Sequence, residues 1–430
     1  MSRLDELLAA SKADYESAHP ESRRQAGAAS DVLPGGNTRS VLDFDPYPFR
    51  VVGVDGAHLV DVDGNRYLDF LGNYSAGLFG HRPDAVADAV RAILDTGWAL
   101  GAITLAEAEL ARLLADRFPS IDQIRFTNSG TEANLMAIAT AKHATGRQVV
   151  VAFRAGYHGG VLYHGEGGND LLVPHQWEVL DYNDPTAVKS LFAASGDEIA
   201  CVIVEPMLAA SGCIPGSAPF LEEIRRSTGD HGSVLIFDEV MTSRLSPGGA
   251  QSLLGITPDL TTLGKYLAGG LPFGAFGGRR DLMAAFDARS GGKLTHGGTF
   301  NNDELSLAAG VAAVTSLQDD SGLKALNDRG DRLRSGLNKV FDGAGLAMCA
   351  TGLGSLMTIH GTRGPVERIS DLDGSDDRLK ELLFFDLLAA GFYIARRGFI
   401  ALSFDITDEH VEDLLRQVSV WAAAVSSRIG

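Results

Sequence analysis

The chain has 430 residues, of which 45% are hydrophobic and 21% are charged, so its composition is that of a globular protein with room for two or three domains. Its formal net charge of −18 argues against binding to DNA or to an acidic membrane surface. The three cysteines lack metal-ligand spacing, and the chain contains neither a signal-peptide region nor an apolar run of roughly 18 residues, so we expect a cytoplasmic protein.

The N-terminal part predicts a helix followed by a small antiparallel sheet. Residues 1–30 are polar and alanine-rich, as in a surface helix. Strand-like runs follow at residues 51–54, 58–62 and 66–70. The pair Asp63-Gly64 separates the last two runs, and this pair is typical of a tight hairpin turn.

The middle of the chain alternates helical segments with short apolar runs. A helix is predicted at residues 131–143, ended by Gly146. The apolar runs lie at residues 149–153, 199–204 and 234–237. Because these runs are apolar on both faces, they predict strands of a mostly parallel sheet that helices cover.

The C-terminal part has a different pattern, which predicts a smaller domain of mixed helices and strands. The predicted elements are a helix at residues 326–341, strands at 355–359 and 391–394, and a last helix capped by Thr407. We therefore predict a large α/β domain at residues 71–310. A smaller α+β domain is predicted from both chain ends, residues 1–70 and 311–430.

One carboxylate and one lysine have unusual surroundings. Asp238 directly follows the apolar run 234–237, where an acid is costly unless it has a cationic partner. Lys265 follows Gly264 and precedes a glycine-rich run, and close backbone packing there favours the neutral amine that a Schiff base requires. Pyridoxal phosphate chemistry needs such a lysine, and a carboxylate that keeps the ring nitrogen protonated. A satisfied buried carboxylate and a solvated surface lysine are the plainer alternatives.

A second group of residues suggests a phosphate site. Ser129 and Thr131 supply hydroxyl groups where a helix begins, and Gly130 allows a ligand to approach the backbone closely. The free N–H groups of a first helical turn favour an anion. An ordinary Ser/Thr helix cap has the same pattern. Thr299, in the glycine-rich loop at residues 295–302, is a further candidate for a phosphate contact.

An aromatic residue and two histidines stand in the loop after residue 153. Tyr157 could stack on a flat heterocycle at the mouth of a parallel sheet, although a surface tyrosine is the commoner case. His158, His164 and Glu166 contain metal-binding groups, but they lie in a glycine-rich loop without helical spacing. We therefore predict no metal site.

Three arginines stand beside apolar or glycine-rich stretches and outside charged runs. They are Arg39, Arg396 and Arg397. Arginine binds carboxylates through two parallel hydrogen bonds, so these residues are candidates for substrate binding. Surface salt bridges are the alternative.

In this order along the chain, these stretches resemble the class III (subgroup II) aminotransferases of PLP fold type I. The matching stretches are residues 63–69, 128–133, 157–159, 204–206, 237–242, 258–265 and 298–300. The resemblance implies an α/β protein, with a large domain on a mostly parallel seven-stranded sheet and a smaller α+β domain. It also implies pyridoxal 5′-phosphate as the cofactor.

The resemblance implies a role for each candidate residue. Lys265 binds the cofactor covalently and then acts as the acid and base of proton transfer, while Asp238 pairs with the ring nitrogen. Tyr157 stacks on one face of the ring, and Val240 packs on the other. The phosphate is held by Ser129, Gly130 and Thr131. Thr299 reaches the phosphate of the neighbouring subunit, so a homodimer with shared active sites is implied.

Within the class, the chain is most similar to the β-phenylalanine (β-amino acid) aminotransferases and to glutamate-1-semialdehyde aminomutase. The segment around Arg39 resembles the first group, and the two arginines after Ala395 replace the Pro-Ser of the aminomutase pattern. The resemblance implies that Arg39 binds the substrate carboxylate and Arg396 the second carboxylate of the acceptor. Arg397, one position away, is the alternative to Arg396.

The function predicted from the sequence is ping-pong transfer of an amino group from a β-amino acid to 2-oxoglutarate or pyruvate. An aminomutase, which moves the amine within one molecule, is the first alternative. A phosphate-binding α/β protein without pyridoxal phosphate is the second, although the chain has neither a Walker loop nor a Gly-x-Ser-x-Gly elbow.

Overall fold

The computed structural model describes residues 2–165, 167–317 and 320–429. Its helices are α1 (Arg3–Ala18), α2 (Pro20–Ser30), α3 (Asp84–Thr96), α4 (Leu105–Arg117), α5 (Gly130–Thr145), α6 (Pro185–Ser195), α7 (Ala218–His231), α8 (Gly249–Leu254), α9 (Arg280–Met283), α10 (Glu304–Thr315), α11 (Asp320–Gly343), α12 (Asp377–Ala389) and α13 (Asp408–Ile429). Its strands are β1 (Val51–Asp55), β2 (His58–Asp61), β3 (Arg66–Asp69), β4 (Gln123–Thr127), β5 (Val149–Phe153), β6 (Gln176–Leu180), β7 (Ile199–Val204), β8 (Met207–Leu208), β9 (Ile214–Pro215), β10 (Val234–Asp238), β11 (Leu260–Gly264), β12 (Gly274–Gly278), β13 (Cys349–Leu353), β14 (Leu356–His360), β15 (Phe392–Tyr393) and β16 (Phe399–Ala401).

The chain forms two compact units. The smaller unit consists of Met1–Ser75, Leu326–Val366 and Leu372–Gly430, and the larger unit consists of Ala76–Ala325 and Glu367–Asp371. The larger unit therefore ends after α10, whereas the sequence pattern places its end at residue 310. The physical reason is the packing of α10: Ala309 and Ala313 form a buried cluster with Val86 of α3. Helix α10 thus shares a core with the larger unit.

The N-terminus contains two helices where the sequence pattern predicts one. Helix α1 begins with a capping box, in which the Asp5 N–H donates to Ser2 Oγ at 3.2 Å and the Ser2 N–H donates to Asp5 Oδ2 at 2.8 Å. It ends at Ala18, with His19 as its C-cap, because Pro20 has no N–H to continue the hydrogen-bond ladder. The same proline is the first residue of α2, a position that its fixed φ favours.

The larger unit is built on a seven-stranded sheet with the order β4-β12-β11-β10-β7-β5-β6. Strand β12 is antiparallel to both of its neighbours, and the pairs from β11 to β6 are parallel. This arrangement confirms the predicted mostly parallel sheet. All five residues of β10 are buried, as expected for a central strand covered by helices on both faces.

The smaller unit contains two sheets, β1-β2-β3-β15 and β13-β14-β16. Strand β15 pairs in parallel with β3, so the segment after β15 lies beside the segment after β3. This pairing brings a C-terminal stretch next to an N-terminal one within the same unit. No helix in the described parts of the chain is long and apolar enough to cross a membrane.

Candidate active site

Asp238 lies at the carboxyl end of β10 and is only 5% exposed. Its Oδ2 accepts hydrogen bonds from Asn134 Nδ2 and from His158 Nδ1, each at 2.8 Å, if His158 carries its proton on Nδ1. Its Oδ1 accepts the N–H of Val240 at 3.0 Å. Three donors thus converge on this carboxylate, which gives it the partners that a buried charge requires.

Lys265 directly follows β11, the strand next to β10. Asp238 pairs in register with Thr262. The aspartate and the lysine therefore lie at the carboxyl ends of two adjacent parallel strands. Lys265 has a φ of 55°, in the left-handed region that residues with a Cβ seldom adopt. Such conformations cluster at functional sites, where the surrounding structure maintains them.

The first turn of α5 has the features of an anion site. Ser129 caps the helix, and its Oγ accepts the N–H of Glu132 at 3.2 Å. Within the described residues, the N–H groups of Gly130 and Thr131 find no protein acceptor. Together with the partial positive charge of the helix end, these donors favour a bound phosphate.

Two glycines bring the surrounding loops close to this turn. A Cβ on Gly130 would lie 2.7 Å from Val240 Cγ2, so only glycine lets Val240 pack on the start of α5. Gly159 has a φ of 120°, and a Cβ there would overlap the side chain of Thr131. Val240 and the loop that carries Tyr157 therefore both contact the first turn of α5.

Tyr157 is attached to the sheet through its backbone. Its N–H donates to Glu205 Oε1 at 2.8 Å, and Oε2 of the same carboxylate accepts the N–H of Ala209 at 3.1 Å. The ring is 41% exposed and lies 5.6 Å from the ring of Tyr163 at an angle of 57°. The exposed face leaves room for a stacked heterocycle. Glu205 thus holds the loop in place, and the sequence analysis did not recognise this role.

Glu205 makes the stability of the apoprotein depend on pH. Burial raises the pKa of its carboxyl from 4.5 to about 7, and His158 opposes this shift. The pKa of Glu205 is therefore higher in the folded than in the unfolded protein. The stability that protonated Glu205 contributes is complete below about pH 4.5 and is lost as the pH rises through about 7. We expect the unfolding free energy of the wild type to lose up to about 3 kcal/mol over this range relative to Glu205→Gln. Urea unfolding of both proteins at several pH values measures this difference, and parallel pH profiles would contradict it.

The loop with Thr299 is linked to the same turn. Asn301 Oδ1 accepts from Asn128 Nδ2 at 3.1 Å, and Asn301 Nδ2 is 3.1 Å from His296 Nε2. Thr299 itself is exposed, and the neighbouring Phe300 is 66% exposed. Its loop is therefore fixed next to the start of α5, while the threonine side chain faces solvent in the single chain.

The three candidate arginines belong to the smaller unit, and two of them contact the ring of Tyr74. The guanidinium carbon of Arg39 lies 5.6 Å from the centre of the Tyr74 ring, and that of Arg397 lies 5.2 Å from it. Arg39 also donates to Asn73 Oδ1 at 2.8 Å. Arg396 is exposed and lies 3.7 Å from the carboxylate of Glu381. The structure therefore places the guanidinium groups of Arg39 and Arg397 over one ring.

The chain segment under these arginines has an uncommon backbone. Gly72, Asn73, Tyr74 and Ser75 have φ values of 53°, 47°, 52° and 73°, so four successive residues form a left-handed turn. Tyr74 is held in it by a hydrogen bond from its hydroxyl to Val41 O at 2.9 Å. Nothing in the sequence pattern predicts this turn, since three of its residues carry a Cβ.

Comparison with known proteins decides the family. The sequence pattern of the family Aminotransferase class-III matches residues 43–415. The chain belongs to the class III aminotransferases. A β-phenylalanine transaminase of Variovorax paradoxus is 47% identical over 427 residues, covering 99% of this chain and 96% of that protein. The crystal structure of a β-phenylalanine aminotransferase from Variovorax paradoxus has a TM-score of 0.96 and 46% identity, covering 99% of this chain and 98% of that one.

Two further relatives widen the comparison. A glutamate-1-semialdehyde 2,1-aminomutase of Rhodopirellula baltica is 35% identical over 433 residues, covering 96% of this chain and 98% of that protein. A transaminase solved with PLP bound has a TM-score of 0.87 and 29% identity, covering 95% of this chain and 99% of that one. These findings confirm three predictions: a class III aminotransferase, PLP fold type I, and pyridoxal 5′-phosphate as the cofactor.

The larger unit of this aminotransferase fits pyridoxal 5′-phosphate. Within the described residues, the start of α5 offers two backbone donors without a protein acceptor, and Gly130 and Gly159 let Val240 and Thr131 pack closely beside them. Asp238 has one oxygen with a single hydrogen bond, so that oxygen can still accept a proton donor such as a pyridinium. Lys265 follows the carboxyl end of β11, next to the end of β10 that holds this carboxylate.

Sequence reasoning missed three polar partners of the site, Asn134, His158 and Glu205. Asn134 lies on the buried face of α5 with Ala137, Ile138 and Ala141, and a polar residue on such a face needs a partner. The sequence pattern around His158 indicates only a possible metal ligand, whereas the structure pairs this histidine with Asp238. Within the described residues, no group of three or more His, Cys, Asp and Glu side chains could hold a metal ion, and Glu166 lies outside those residues.

Proposed function

We propose that this aminotransferase moves the amino group of a β-amino acid, such as β-phenylalanine, to 2-oxoglutarate or pyruvate in a ping-pong reaction. The observation that carries the proposal is the pair of guanidinium groups, from Arg39 and Arg397, on the ring of Tyr74. Within the described residues, Arg39 donates to the neutral amide of Asn73 and pairs with no carboxylate. Its charge is therefore available to a substrate carboxylate. The similarity to a β-phenylalanine transaminase supports a β-amino acid as the donor.

Pyridoxal 5′-phosphate, when bound, supplies the electron sink for removal of a proton from the carbon that carries the amine. In this proposal Lys265 Nζ would take up that proton and deliver it to the cofactor, and Asp238 would hold a proton at the ring nitrogen. Ser129, Gly130 and Thr131 bind the phosphate. Tyr157 and Val240 contact the two faces of the ring and orient it.

The arginines select the two substrates. Arg39 binds the carboxylate that every substrate carries, and Arg397 binds the second carboxylate of a dicarboxylic acceptor. We assign this second role to Arg397 and not to Arg396, because only Arg397 shares the Tyr74 ring with Arg39. Arg396 has a carboxylate neighbour in Glu381, which partly neutralises its charge.

Two arginine variants test this assignment. Arg397→Gln is expected to raise the KM for 2-oxoglutarate roughly 10- to 100-fold, because a charge-assisted pair to the second carboxylate is lost. The kcat/KM for pyruvate, which lacks that carboxylate, should change less than about threefold. The matched control is Arg396→Gln, one residue away, which should leave both values within about twofold. The reverse pattern in steady-state kinetics would return the role to Arg396.

The substrate class is tested by absorbance of the bound cofactor in single half-reactions. We expect a β-amino acid to bleach the absorbance band of the lysine-bound cofactor and 2-oxoglutarate to restore it. The panel contains both enantiomers of β-phenylalanine, a short aliphatic β-amino acid, glutamate and an arylalkylamine. A band that no β-amino acid bleaches would refute the donor assignment and leave the cofactor assignment standing.

An aminomutase is the second candidate, because a glutamate-1-semialdehyde aminomutase is also a relative over nearly the whole chain. Such an enzyme turns over without any keto acid. Product formation from one substrate in the absence of an acceptor therefore separates the two reactions.

We also propose a homodimer in the cytoplasm. The exposed position of Thr299, next to the phosphate-binding turn, supports a contact with the cofactor phosphate of a second subunit. The three free, buried cysteines fit a reducing compartment. Analytical ultracentrifugation of the holoenzyme tests the dimer, and the mass of a single chain would contradict it.

A further inference from the structure

Asn134 occupies a fully buried position between two elements of the larger unit. It lies on α5 and is 1% exposed, and Thr262 of β11 is 0% exposed. Asn134 Nδ2 donates to Asp238 Oδ2 at 2.8 Å and to His158 O at 3.0 Å, and Asn134 Oδ1 accepts from Thr262 Oγ1 at 2.6 Å. Both hydrogens and the oxygen of this amide therefore have partners.

Only one orientation of this amide is compatible with its surroundings. If the side chain were turned over, Oδ1 would face the carboxylate of Asp238 and the carbonyl of His158, so acceptors would face acceptors. The orientation shown also requires the hydroxyl of Thr262 to act as the donor, because Oδ1 of an amide carries no hydrogen. Thr262 thus fixes the amide, and the amide points its hydrogens at Asp238.

The consequence for Asp238 is a difference between its two oxygens. Oδ2 accepts two hydrogen bonds, from Asn134 and His158, and this uses both of its in-plane positions. Oδ1 accepts only the Val240 N–H, so one of its two in-plane acceptor positions remains for another donor. An ionised carboxylate held in this way has one oxygen that can accept a further donor.

We propose that Asn134 is a positioning residue, oriented by Thr262, that holds Asp238 so that Oδ1 is the oxygen presented to the ring nitrogen of pyridoxal 5′-phosphate. The inference rests on the proposed role of Asp238 and adds a residue that acts through it. A proton on the ring nitrogen is then stabilised by a carboxylate whose ionised form is supported by two side-chain donors and one backbone donor.

The test uses isosteric variants on one strand. Thr262→Val removes the hydroxyl donor and keeps the side-chain shape. Its matched control is Thr261→Val, an equally buried neighbour on β11, whose hydroxyl bonds Ser120 Oγ at 2.7 Å and accepts from Gln251 Nε2 at 3.3 Å but makes no bond to Asn134. Asn134→Leu removes the amide, and Thr262→Ser keeps the hydroxyl. Thermal unfolding of each apoprotein checks that it is folded.

Two measurements besides turnover report on the cofactor. One is the dissociation constant of pyridoxal 5′-phosphate from the apoprotein. The other is the nitrogen-15 resonance of ring-labelled cofactor in the holoenzyme, which distinguishes a protonated from a neutral ring. We expect Thr262→Val to raise the dissociation constant roughly fivefold and Asn134→Leu roughly 10- to 100-fold, both with a resonance moved toward the neutral ring. Thr262→Ser should resemble the wild type.

The control separates positioning from folding. Thr261→Val should lower the unfolding temperature and leave the dissociation constant and the resonance unchanged. If Thr262→Val behaves in the same way as Thr261→Val, Asn134 is only structural and the inference is wrong. If Asp238→Asn also leaves the resonance unchanged, the proposed role of Asp238 itself fails, and this result is distinguishable from failure at Asn134 alone.

Discussion

Lys265→Ala is expected to lower kcat by about 10⁴-fold, the upper end of what a positioned acid–base group contributes. The variant lacks the amine that, in the proposed function, takes up the substrate proton and delivers it to the cofactor. Its fold should be intact, because alanine has the same Cβ as lysine and meets the φ of 55° with the same strain. The unfolding temperature of the apoprotein should therefore stay within about 2 °C of the wild type.

Lys293 is the control for this variant. It is an exposed lysine of the larger unit, and Lys293→Ala should leave kcat unchanged within about twofold. A small free amine such as methylamine, added to Lys265→Ala, should restore part of the rate because it can carry the proton in place of the side chain. A Lys265→Ala enzyme with more than about a tenth of the wild-type kcat would show that another group moves the proton.

Asp238→Asn is expected to lower kcat/KM by about 10²- to 10³-fold, the effect of losing one group that stabilises developing charge. The structure adds a second reason. Both oxygens of Asp238 accept hydrogen bonds, so the NH₂ group of an asparagine would face either the Val240 N–H or the donors from Asn134 and His158. A donor facing donors leaves buried groups unsatisfied in either orientation.

A second buried carboxylate of the same sheet is the control. Asp259 is 6% exposed, directly precedes β11, and pairs with Arg225 at 3.1 Å and Arg279 at 2.9 Å. Asp259→Asn should destabilise the fold, because it removes the carboxylate that pairs with Arg225 and that shares Arg279 with Asp281, and it should change kcat/KM less than about threefold. Steady-state kinetics, cofactor affinity and urea unfolding of both variants are compared. Equal losses of kcat/KM would show that Asp238 acts through the fold and not through the cofactor.

The candidate pair Asp238 and Lys265 can be selected from the sequence because each member has a local signal. An acid at the end of an apolar strand is unusual, and so is a lysine that follows a glycine and precedes a glycine-rich run. Asn134 and Thr262 have no such signal. They are ordinary polar residues on a helix and a strand, and only the packing of α5 on β11 shows that they meet.

Other differences between sequence and structure also depend on contacts between distant residues. Arg396 and Arg397 differ by one position, and the proposed choice of Arg397 rests on its contact with the ring of Tyr74, more than 300 residues earlier. The break between α1 and α2 was detectable locally, since Pro20 is in the sequence. The end of the larger unit was not detectable locally, because it depends on the packing of Ala309 and Ala313 against Val86, which is distant in the sequence.

The left-handed turn at residues 72–75 has a consequence for protein engineering. Three residues with a Cβ in that conformation cost about 1–2 kcal/mol each, and glycine at the same positions would avoid this cost. At this turn the exchange is unfavourable at every position: Asn73 holds Arg39, Tyr74 carries both guanidinium groups, and Ser75 is 0% exposed. A library selected for heat resistance alone should therefore collect glycine at position 73 or 74 only in clones that have lost affinity for carboxylate substrates.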